Sequence, residues 1–65
     1  MKIIIIDDNI DLSKNIEKFF LGQKHKVTLY HSKKDFMSAK NTLADVYIID
    51  IDLKDGSGLE IARYL

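Results

Sequence analysis

Sixty-five residues with ten basic and ten acidic side chains, and neither cysteine nor proline, describe one small neutral unit. The 46% hydrophobic share is that of a folding chain, yet a unit of this size buries only about 60% of the surface its unfolded chain exposes, and without cysteine it has neither disulfides nor thiolate-bound metals as staples. No stretch reads as a basic nucleic-acid-binding arm, a membrane-facing patch, a bilayer span or a signal peptide, so a cytoplasmic protein without nucleic-acid or membrane contact is the expectation.

The first apolar run, Ile3 to Ile6, is continuous and β-branched, which suits a central parallel strand covered on both faces. Leu12, Ile16, Phe19 and Phe20 follow at i, i+4, i+7 and i+8, predicting a helix with those residues inward and Lys14, Asn15, Glu17 and Lys18 outward. Gly22 is the expected left-handed stop. A second strand is predicted over Val27–Tyr30. Ser32, three residues before Asp35, then opens a short helix with Phe36, Ala39 and Leu43 inward, ending at Asn41 or Thr42. The third run, Val46 to Ile49, leads into a glycine-containing loop from Lys54 to Gly58. A last helix starts at Gly58 or Leu59, with Leu59, Ala62 and Ile61 as its inward residues.

The order is β-α-β-α-β-α, and runs starting at residues 3, 27 and 46 have the spacing of strand-plus-helix repeats. Right-handed crossovers make the sheet parallel, with spatial order 2-1-3 because the first run is the most apolar.

Charge is distributed unevenly. Seven lysines and only two acids, Glu17 and Asp35, lie between Lys14 and Lys40. Six of the ten acids form two groups that each follow an apolar run: Asp7, Asp8 and Asp11, then Asp50, Asp52 and Asp55. Strands of a parallel sheet end on one edge, where open α/β folds bind ligands. With the first and third strands adjacent, Asp7 and Asp8 come within reach of Asp50. Carboxylates that close repel unless a cation neutralises them, and an all-oxygen donor set suits Mg²⁺. A carboxylate beside Mg²⁺ is also a competent nucleophile in phosphoryl transfer.

These residues, Ile5-Ile6-Asp7-Asp8-Asn9 and Tyr47 through Asp50-Ile51-Asp52-Leu53-Lys54-Asp55-Gly56-Ser57-Gly58-Leu59-Glu60, resemble the receiver domains of two-component response regulators. The resemblance covers residues 1–65 as a truncated receiver, the N-terminal half of a three-layer, flavodoxin-like α/β fold. It implies Asp50 as phosphoacceptor, Asp8 as direct Mg²⁺ ligand, Asp7 as a ligand through water and the Asp52 backbone carbonyl as a further ligand. It also implies a histidine kinase as phosphodonor. Lys54 stands where the family usually has proline. The Ser or Thr that senses the phosphoryl group, and the Lys that binds it, belong to later elements that this chain lacks, so impaired activity is expected. With the outer edge of the third strand bare, a homodimer through that edge is expected.

Plainer readings stand beside these. Asp7 and Asp8 suit a turn that caps the first helix, and the Asp52 side chain suits solvent. His25 and His31 read as surface residues, Gly56-Ser57-Gly58 as a turn, the lysine excess as a solvated face, and Phe19, Phe20 and Phe36 as core. Two other functions compete. Asp50-Ile51-Asp52 is also similar to the nucleophile motif of haloacid-dehalogenase-type phosphohydrolases, although Lys54 departs from it. A self-associating half-domain with a vestigial site is the purely structural alternative.

Overall fold

The computed structural model describes all 65 residues, Met1–Leu65. Strands β1 (Lys2–Ile6), β2 (Lys26–Tyr30) and β3 (Val46–Ile49) alternate with helices α1 (Ile10–Gly22) and α2 (Lys33–Ser38). After β3 come two very short strands, β4 (Asp52–Leu53) and β5 (Gly56–Ser57), and then α3 (Gly58–Tyr64). The main sheet is parallel with order β2-β1-β3, as the apolarity of the first run requires. Ile3 is in register with Val27 and Val46, and Ile6 with Tyr30 and Ile49.

Alternation sorts the sheet's side chains between two layers. Ile4 and Ile6 face Phe36 of α2, Leu53 of β4 and Ile61 of α3, with Tyr30, Tyr47 and Ile49 packed around them. Ile3 and Ile5 point the other way, where α1 lies over β1 and β2. All four isoleucines are fully buried, each contributing roughly 1.5–3 kcal/mol relative to exposure. This is the three-layer, flavodoxin-like α/β arrangement that the element order predicts.

The helices depart from their predicted faces. In α1 the fully buried residue is Ser13, whereas Leu12 and Phe19 are 48% and 60% exposed. A small side chain lets the helix backbone approach the sheet, and Ser13 Oγ donates to the Ile10 carbonyl at 3.0 Å, which satisfies its polar atom. The stripe is thereby rotated onto Ser13, Ile16 and Phe20, and Phe19 is not core. Gly22 is helical; the left-handed residue is Lys24, with φ 66°. There Lys24 N–H donates to Leu21 O at 3.0 Å and His25 N–H to Phe20 O at 3.2 Å, the paired bonds of a left-handed helix cap.

Helix α2 ends at Ser38, short of the expected Asn41 or Thr42, because Ala39 turns extended. The Tyr47 hydroxyl holds the return segment through the Thr42 carbonyl and the Ala44 N–H, and Leu43 is left 79% exposed instead of buried. In α3 the inward residues are Gly58 and Ile61; Leu59 and Ala62 face outward. The predicted loop before α3 contains the β4–β5 ladder, with Asp52 opposite Ser57 and Leu53 opposite Gly56. Ser57 caps α3 in a reciprocal arrangement with Glu60.

Candidate functional site: an acidic cluster at the sheet edge

The ladder runs one residue past the strands that carry the cluster. Asp7 N–H donates to Tyr30 O at 3.0 Å and Asp50 N–H to Ile6 O at 2.9 Å. These bonds fix both backbones at the same edge, immediately after β1 and β3. Side-chain oxygens of Asp7, Asp8 and Asp50 then lie within 4.8 Å of one another, and all three residues are at least partly buried. Sequence reasoning placed these three together, and the fold brings them together.

Each carboxylate is held by one backbone N–H through one oxygen. Asn9 N–H donates to Asp7 Oδ1 at 2.9 Å, Asp52 N–H to Asp50 Oδ1 at 3.1 Å, and Lys54 N–H to Asp8 Oδ2 at 3.0 Å. Oδ2 of Asp7, Oδ1 of Asp8 and Oδ2 of Asp50 have no protein partner. The capping role that was the plainer reading of the acidic pair falls to Asn9, whose side chain accepts from Leu12 N–H at 3.0 Å.

The other acids are placed apart from this cluster. Asp11 is exposed in the first turn of α1, where it complements the helix dipole. Asp52 opens β4 with an exposed side chain. Asp55 reaches across to α2, accepting from Lys33 N–H and Lys34 N–H at 2.9 Å each, and these two donors hold its carboxyl below the usual range. Lys33 Nζ also bonds Glu60 at 3.1 Å, so one lysine of the supposedly solvated set is engaged.

His25 and His31 are half-buried rather than free on the surface. The His25 ring nitrogen Nδ1 lies 3.1 Å from the terminal amine of Met1, and that of His31 lies 3.2 Å from the Asp7 carbonyl oxygen. His31 therefore borders the site through backbone, not through a carboxylate.

Gly58 belongs to the motif that carries the resemblance, where it read only as a turn residue before the last helix. Its N–H donates to Ile51 O at 2.8 Å, and a Cβ there would lie 2.0 Å from the Asp50 carbonyl oxygen. Only glycine lets α3 start this close to Asp50. The site itself is open, with no enclosed pocket over it.

The donor set is chemically uniform: hard carboxylate oxygens, with no imidazole or sulfur in the cluster. That composition fits Mg²⁺, which prefers oxygen ligands and keeps several waters. Three negative charges at this separation are also what a divalent ion would offset.

No family model matches the sequence, and no solved structure does. Among curated proteins, the transcriptional regulatory protein FlgR of Helicobacter pylori is 33% identical over 66 residues, an alignment that takes in the whole of this chain. The chain spans 17% of the length of that relative. The parallel 2-1-3 sheet and this likeness, which runs from β1 through α3, both fit a receiver domain of a response regulator.

Proposed function

We propose that the chain is the phosphoacceptor module of a two-component response regulator, with Asp50 as the phosphorylated residue. The observation that carries this reading is the convergence of Asp7, Asp8 and Asp50 side-chain oxygens within 4.8 Å at the strand ends. Asp50 Oδ1 is occupied by Asp52 N–H, which leaves Oδ2 as the attacking oxygen. That oxygen forms the new P–O bond as the donor's P–N bond breaks, and the phosphoryl group passes to Asp50 while the kinase histidine leaves. On this reading Asp8 would ligate Mg²⁺ directly and Asp7 through water, with Asp50 and the Asp52 backbone carbonyl as the remaining protein donors. When bound, the ion supplies positive charge against the phosphoryl oxygens.

The phosphodonor on this reading is a histidine kinase, which places the protein in the cytoplasm; no helix is long and apolar enough to cross a membrane. A second copy is the further partner, docking along the open edge of β3. The phosphohydrolase alternative leaves Asp7 and Asp8 without a role and makes a general acid of the exposed Asp52, so the phosphoacceptor reading is preferred.

The test is intact mass after incubation with Mg²⁺ and a small-molecule phosphodonor, for the wild type and for Asp50→Ala. One added phosphoryl group in the wild type and none in the variant is expected. Equal labelling of both proteins, or of neither, defeats the proposal.

A further inference from the structure

Two of the three cluster carboxylates are oriented locally, each by the N–H two residues further along the chain. Asp8 is different. Its only donor is Lys54 N–H, 46 residues away in sequence, at the tip of the β4–β5 hairpin. The orientation of Asp8 therefore depends on where that tip is held.

The tip is fastened from its other side. Asp55, the next residue, accepts from the first two N–H groups of α2, at 2.9 Å each. Leu53, the residue before, is buried against Ile4, Ile6 and Phe36. Lys54 thus sits between an apolar anchor and a charge-assisted one, with its N–H aimed at Asp8. A proline at this position, usual in the family, has no N–H to give, so this link to Asp8 requires a residue such as Lys54.

We infer that Asp55 is a positioning residue for the divalent cation: by tying the hairpin tip to α2 it keeps Lys54 N–H on Asp8 Oδ2 and leaves Asp8 Oδ1 presented to the ion. The inference rests on the phosphoacceptor reading and names the part of this chain that sets the strength of that site. Outer-shell partners that orient a ligating carboxylate typically change metal affinity by about 10- to 100-fold when removed.

Mg²⁺ affinity is to be measured by isothermal titration on the wild type, Asp55→Ala, Asp55→Asn and Lys54→Pro, under conditions where circular dichroism shows each folded. The expected result is a Kd raised about tenfold in Asp55→Ala and Lys54→Pro. Asp55→Asn, which keeps one acceptor oxygen, falls between them and the wild type. Because each variant is titrated only where it is folded, a graded loss of affinity reports the site rather than the folded fraction. In parallel, the Lys54 amide resonance should respond to Mg²⁺ in the wild type and lose that response in Asp55→Ala. Should Asp55→Ala fail to fold, Asp55→Asn and Lys54→Pro decide the matter alone. Wild-type affinity in both overturns the inference and leaves the phosphoacceptor reading standing. A wild type that binds no Mg²⁺ removes both.

Discussion

A single hydrogen atom at Gly58 decides how closely α3 approaches Asp50. Replacing it with a methyl group sets Cβ 2.0 Å from the Asp50 carbonyl oxygen and 2.8 Å from Ile49 Cγ2. The Asp50 backbone is held in place, because Asp50 N–H is tied to Ile6 O and Gly58 N–H to Ile51 O. Gly58→Ala should therefore destabilise the fold by about 1–3 kcal/mol, as other overpacked sites do. It should also displace Asp50 and slow its phosphorylation. Urea denaturation and the rate of mass gain report the two effects separately; a variant with wild-type stability would show that α3 shifts without cost. Lys24 makes the opposite point. It occupies a left-handed position where glycine is usual, at a cost of roughly 1–2 kcal/mol, so a glycine two residues upstream did not mark the helix end.

Among the elements, α2 is the one held most by its ends. Six residues are too few to be stable alone. Its N-terminus is closed by Ser32, which accepts from Asp35 N–H at 3.0 Å, and by the carboxylate of Asp55. The Lys33–Glu60 bond adds a link to α3, of small value because both side chains are substantially exposed. Asp55 and Glu60 both titrate below their ordinary values of 3.8 and 4.5, Asp55 through the Lys34 and Lys33 N–H bonds and Glu60 through the Lys33 side chain. A depressed folded value means that the stabilisation is complete above the unfolded pKa and is lost as pH falls through the folded one. The stability gap between the wild type and Asp55→Asn should thus be widest at neutral pH and close in strong acid. Urea midpoints measured across that range would contradict this if the gap were independent of pH.

At the scale of the whole molecule, burial is sparse. Nine of 65 residues are buried and the accessible surface is 4588 Å², against about 4,250 Å² expected for a folded chain of this mass. Helix α1 lies over β1 and β2, while Val46 and Ile48 of β3 share that face of the sheet and stay half exposed. β3 is also an edge strand, with unpaired backbone on its outer side. Edge pairing with a second copy would satisfy those groups. Sedimentation equilibrium should accordingly show mass rising with concentration toward a dimer, and Ile48→Lys, which places a charge on the edge strand, should return it to the monomer. A mass that stays monomeric at every concentration would rule the dimer out.

Strand identity, sheet order and the meeting of Asp7, Asp8 and Asp50 were legible because they follow from short-range facts: β-branched runs, crossover handedness, and acids placed directly after strands. The helix faces were less legible. Periodicity locates an apolar stripe but not the contact line, and in α1 that line runs through Ser13, where a small side chain permits close approach. The C-terminal limit of α2, the β4–β5 ladder, the role of Asp55 and the close contact behind Gly58 were not visible. Each is set by a contact that strand or helix periodicity does not encode: Tyr47 on the Thr42 carbonyl, Asp55 on the N-terminus of α2, Gly58 against the Asp50 carbonyl. The sequence by itself determined which carboxylates gather and at which edge. Only the tertiary structure decided which oxygen of Asp8 is free, because its donor, Lys54 N–H, lies 46 residues away and is brought into place by packing, not local order.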